Sequence, residues 1–123
     1  MADCRISEFM EMQRQQAKEH GWDKNRIPSM GHRSLLWCVG EMGEMIDIIK
    51  KKGHDAIMDN ENVRAHFVEE TADVFMYLFD VMEAFGITPE EFSDAYIAKF
   101  ERNMQRTWEE NKTKYENKTG GSL

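Results

Sequence analysis

The chain has 123 residues, 41% of them hydrophobic and 32% charged, and a net charge of −7. That length supports one domain with a modest core in a soluble protein. The acidic balance argues against a nucleic-acid surface, which needs a basic face, and no apolar run reaches the ~18 residues of a membrane span.

In chain order, residues from about Ser7 to His20 read as a first helix. Ser7 is the expected N-cap and Gly21 the stop. Residues 22–31, with Asn25, Pro28 and Gly31, read as a loop. Trp22 in that loop needs a partner, and a core lid is favoured over a surface for a ring-shaped ligand. A second helix is expected from His32 to Lys52, ending in Lys50, Lys51, Lys52 and then Gly53. Residues 54–60 read as a polar connector. A third helix, capped by Asp59 or Asn60, continues to about Phe85, and Gly86 ends it. Thr88-Pro89-Glu90-Glu91 starts a fourth helix that reaches about Glu110.

These elements give an all-α fold of about four helices in a bundle. The domain is expected over 1–110, with a polar, disordered tail over 111–123. The sequons at Asn111 and Asn117 are read as chance matches, because no apolar leader is seen and the expected location is cytoplasmic. Cys4 and Cys38 are expected to be free thiols. The third helix is apolar on more than one side, with Phe75, Phe79 and Met82 away from its acids. It is therefore expected to be central or buried between subunits.

The chemistry-bearing stretch is Glu41–Asp73. It holds two acid pairs, Glu41/Glu44 and Glu70/Asp73, each spaced i, i+3 and so on one face of its helix. The face of Glu41 and Glu44 also carries Trp37, Cys38, Met45 and Ile48. The face of Glu70 and Asp73 also carries Val63, Phe67, Val74, Tyr77 and Val81. Acids at the edge of such stripes are solvated in most helices. Four of them directed toward a core lose hydration and repel, which demands compensation. Hard divalent cations compensate directly, and an all-carboxylate set points to Mg²⁺ or Mn²⁺. None of His20, His32, His54 and His66 has a Glu three residues before it, which argues against a di-iron bundle. On the fourth helix, Phe92, Tyr96, Lys99, Asn103 and Arg106 form one stripe that ends in cations and an amide. It suits either a polyphosphate or the helix dipole.

Gly40-Glu41-Met42-Gly43-Glu44, followed by Glu69-Glu70-Thr71-Ala72-Asp73-Val74, resembles the signature of the MazG-like all-α nucleotide pyrophosphohydrolases, Glu-x-x-Glu, a spacer and Glu-x-x-Asp. The run from Gly86 to Thr88 and that from Lys99 to Arg106 are similar to the family's last helix, and the likeness covers about Phe9 to Arg106. The resemblance implies that Glu41, Glu44, Glu70 and Asp73 bind Mg²⁺, that the metal holds a nucleoside triphosphate, and that water attacks the α-phosphorus to release pyrophosphate. It implies Glu44 as the candidate proton acceptor, Tyr77 near the sugar, and Trp22, Trp37 and His20 at the base. Lys99, Asn103 and Arg106 fall to the polyphosphate. A homodimer or homotetramer built through the central helices is implied as well. The base is left open, from a pyrimidine such as dCTP to a broad or damaged set. The alternatives are phosphoribosyl-ATP hydrolysis, in a related branch, and a non-enzymatic helical interaction module.

Overall fold

The structure is a computed structural model and describes residues 3–106. The predicted tail over 111–123, its sequons and the end of the fourth helix, residues 107–110, lie outside the described residues. Within them are five α-helices and no strand: α1 (Ile6–Glu19), α2 (Gly31–Lys52), α3 (His54–Asp59), α4 (Glu61–Ala84) and α5 (Pro89–Gln105). The expected all-α class holds.

Two expectations about the helices need correction. Residues 54–59, read as a connector, form α3, and Ile57 anchors it at 8% exposure. Six residues are too few to display a helical period, so polarity misled there. The start of α1 also lies earlier than Ser7. Arg5 is its N-cap, and the Glu8 carboxylate accepts the Arg5 backbone N–H at 2.8 Å. This reach back from the third helical position fixes the first turn and leaves Ser7 inside it. The other boundaries follow their chemistry. Asn60 Oδ1 caps α4 by accepting from the N–H groups of Asn62 and Val63 at 3.0 and 3.1 Å. Gly53 separates α2 from α3 at φ 86°, a backbone that side-chain-bearing residues rarely adopt.

The chain divides between Pro89 and Glu90 into two compact units. The first carries α1–α4. Cys38 Sγ donates to the Val74 carbonyl at 3.5 Å, and further along α2 Met45 Sδ accepts from Thr71 Oγ1 at 3.9 Å. As α2 advances its contacts on α4 retreat, so the two helices are antiparallel. α1 lies along the C-terminal half of α4 in the same sense, with Phe9 stacked on Phe79 at 6.0 Å and Arg14 paired with Glu83 at 3.2 Å. The core holds Met10, Ala17, Cys38, Ile48, Val74, Met82 and Ala84. A Cβ on Gly31 would run into the Phe85 ring, so the start of α2 needs glycine to approach the end of α4. The second unit is built on α5, where the Phe92 and Tyr96 rings meet at 6.1 Å one turn apart.

Trp22 is not a core lid. It is 44% exposed and stacks on His20, centroid to centroid 4.6 Å. The apolar surplus of α4 is largely absorbed within the chain, since Met82 is buried and Phe79 meets Phe9, while Phe75 stays 53% exposed. No described helix is long and apolar enough to cross a membrane.

Candidate active site

Because α2 and α4 are antiparallel, the two acid pairs approach one another. Oxygens of Glu41, Glu70 and Asp73 all lie within 4.8 Å of each other. Each of the three is half-buried, with the Glu70 side chain only 14% exposed. Glu44, predicted in the same set, is exposed and outside this trio. Three residues on a helix is about 300° of rotation, enough to carry Glu44 to the rim when Glu41 faces α4 squarely.

The trio is electrostatically compressed. The Glu41 carboxyl is held above its usual range, first by the closeness of the Glu70 carboxyl, which favours the protonated form, then by burial and by the Glu70 charge. Burial also raises Asp73, with the charges of Glu41 and Glu69 adding to it. Glu70 Oε1 lies 3.3 Å from His66 Nε2, while its Oε2 is buried without any partner. A buried carboxylate oxygen without a donor is costly. Two oxygens on opposite sides of one Mg²⁺ sit ~4.2 Å apart, twice the usual bond length, so this set fits a small oxygen-liganded cation after slight side-chain adjustment.

Two of the trio, Glu41 and Asp73, line a cavity of about 880 Å³ together with Glu44, Tyr77, Trp22 and Trp37. Trp37 is 48% exposed, with the Tyr77 ring 5.8 Å away and the Arg33 guanidinium 5.4 Å above its own ring. Burial, the acids Glu41, Asp73 and Asp80 together raise the Tyr77 hydroxyl against the opposing pull of Arg26, which keeps it a hydrogen-bond donor. His20 is exposed and joins this group through its stack on Trp22. Lys99 and Asn103 are exposed on α5, in the second unit, and Arg106 follows the last residue of that helix.

Several cavity residues escaped the sequence reading. Arg33 lies four residues before Trp37 and eight before Glu41, so the α2 stripe should have included it. Asp80 continues the α4 stripe Asp73–Tyr77–Asp80 in the same way. It is 4% exposed, accepts from Gln13 Nε2 at 3.1 Å and pairs with Arg26 Nη2 at 3.1 Å. Arg26 comes from irregular chain and carried no periodic signal. His66 has no Glu three residues before it, but Glu70 stands four residues after it.

This arrangement can gather a divalent ion on carboxylate oxygens beside a space large enough for a nucleotide, with aromatic walls for a ring. A family model described as dATP/dGTP pyrophosphohydrolase matches residues 41–119, which include both acid pairs and α5. No curated protein and no solved structure matches the chain.

Proposed function

Since the chain belongs to the dATP/dGTP pyrophosphohydrolase family, and is thus a hydrolase acting on nucleotide anhydride bonds, we propose that it cleaves purine deoxynucleoside triphosphates to monophosphate and pyrophosphate with Mg²⁺. The observation that carries this reading is the convergence of Glu41, Glu70 and Asp73 beside the cavity. Mn²⁺, with similar ligand preferences, is expected to substitute.

Glu41, Glu70 and Asp73 hold the ion in this reading. When bound, it polarises phosphoryl oxygens and offsets the charge that builds in the transition state. Glu44 lies outside the trio but on the cavity wall. There it takes a proton from the water that attacks the α-phosphorus, which aligns attack with departure of pyrophosphate. Tyr77 donates to the sugar side of the substrate, and its one-turn separation from Asp73 keeps sugar and phosphates in register. Trp22, with His20 behind it, and Trp37 supply ring faces on which a base can stack. Lys99, Asn103 and Arg106 bind polyphosphate oxygens, the cations by charge and the amide as donor. Arg33 adds a cation at the cavity.

The proposed assembly is a homodimer or homotetramer. Its support is a stripe on α2: Leu35, Val39, Met42, Ile46 and Ile49 are 48%, 60%, 49%, 55% and 46% exposed. Their alternating four- and three-residue spacing is that of a helix–helix seam.

The test is a screen of the common ribo- and deoxynucleoside triphosphates with Mg²⁺, with pyrophosphate and orthophosphate assayed separately. Pyrophosphate from dATP and dGTP is expected. Turnover confined to pyrimidine nucleotides, or stepwise phosphate loss, contradicts the proposal.

A further inference from the structure

The most deeply buried charge in the cavity wall is Asp80, two helical turns beyond Asp73. Two turns is about 11 Å, on the scale that separates the phosphates of a nucleotide from its base. Gln13 from α1 and Arg26 from the loop each donate to Asp80 at 3.1 Å, and both line the same cavity. Asp80 has both oxygens engaged and almost no exposure, so it cannot itself meet a ligand. Arg26 differs. Its side chain is 11% exposed, one Nη2 bond goes to Asp80, and its Nε is buried with no partner. A guanidinium has five N–H donors in a rigid plane. An ion pair buried at a cavity wall is expensive as a stability device, and a buried donor without an acceptor adds to that expense.

An acceptor that suits this guanidinium must exist in both purines of the proposed substrate class. At the 6-position adenine carries a donor and guanine an acceptor, so a cation there would favour one purine over the other. N7 is an acceptor in both bases and has no counterpart in a pyrimidine. Resting on the purine reading above, we propose that Arg26 is the purine-reading residue, donating from its guanidinium to N7 of the bound base, with Asp80 and Gln13 as the positioning residues that hold its plane. The same plane explains why Trp22, four residues before Arg26 in the same short loop, stands at the cavity as a stacking face. The ion pair to α4 ties that loop to the helix that bears Glu70 and Asp73.

The experiment compares dGTP with 7-deaza-dGTP, and dATP with 7-deaza-dATP, on the full chain with Mg²⁺. Replacing N7 by C–H deletes only the acceptor. The expected loss in kcat/KM is about 10- to 100-fold, the range for a hydrogen bond to a charged donor, and it falls on KM with kcat little changed. Arg26→Lys keeps a cation for Asp80 but removes the planar fork, and Asp80→Asn releases the fork. Both variants should narrow the gap between each natural nucleotide and its deaza analogue. A purely structural role would instead lower both members of a pair equally. Equal kcat/KM for natural and deaza nucleotides on the unmodified chain overturns the inference, whatever the variants do. If dATP and dGTP release pyrophosphate and that equality is found, only the Arg26 assignment falls. If neither releases pyrophosphate, the purine reading falls with it.

Discussion

His66 Nε2 stands 3.3 Å from Glu70 Oε1, one helical turn away, and the other Glu70 oxygen is buried with nothing to accept from. One oxygen is held, and the other is left for the acid trio. Partners of this kind orient ligating carboxylates, and their loss typically weakens metal binding by 10- to 100-fold. His66→Ala is accordingly expected to raise the Mg²⁺ concentration needed for half-maximal thermal stabilisation by about that factor. The fold should barely change, because His66 is more than half exposed. An unchanged Mg²⁺ midpoint would show that Glu70 needs no support.

The raised carboxyls set a pH dependence with a definite sign. Glu41 and Asp73 have folded pKa values above their ordinary 4.5 and 3.8. Between the ordinary and the raised values the folded state binds more protons than the unfolded one, so metal-free stability falls as pH rises through that window. Asp80 is raised too, by burial against the opposing pull of Gln13 and Arg26, and adds to the same slope. Mg²⁺ competes with protons for Glu41 and Asp73 but not for Asp80. The melting-temperature gain from Mg²⁺ should therefore be small at the acidic end and grow as pH rises through the window. Glu41→Gln should flatten the metal-free slope and remove most of the gain. A gain that is constant across the window would place the ion elsewhere.

Acid and core substitutions should separate cleanly. Asp73→Asn is expected to abolish turnover with the fold intact or slightly more stable, since it removes a negative charge from the crowded trio, and Glu44→Gln, at an exposed position outside the trio, to abolish turnover with stability unchanged. Met82, at 8% exposure, is the core control. Met82→Ala should cost roughly 2–5 kcal/mol and leave kcat unchanged. Lys99→Ala should raise KM with little change in melting temperature. The paired measurement is thermal melting and turnover for each variant. Acid variants that unfold like Met82→Ala would make the carboxylates structural.

The exposed α2 stripe should close between copies of the chain. Light scattering at micromolar concentration is expected to give a multiple of the 14.5 kDa chain mass. Val39→Glu combined with Ile46→Glu, which puts charges into that seam, should give the monomer mass. A monomer before any substitution would leave the stripe as surface.

Much of the fold was legible because long helices repeat their apolar positions. α2 and α4 run for 22 and 24 residues, and their faces emerge from spacing alone. α3 was not legible, because one buried Ile57 is not a period. The acid trio was legible for the same reason as the helices, since i, i+3 spacing puts carboxylates on one face. What spacing could not give is the rotation of α2 about its axis, which decides that Glu41 meets Glu70 while Glu44 sits at the rim. Trp22 and Arg26 lie in chain whose path depends on tertiary bonds, above all Arg26 to Asp80. The size of Trp22 argued for the core, yet packing left it on the cavity.

In the proposed reaction water attacks the α-phosphorus at the acid trio. Hydrolysis of dGTP in oxygen-18 water with Mg²⁺, followed by mass analysis of both products, is the decisive experiment. The label is expected in the deoxyguanosine monophosphate, with unlabelled pyrophosphate formed in equal amount and neither product formed in excess chelator. Label in the pyrophosphate, or in free orthophosphate, would contradict it.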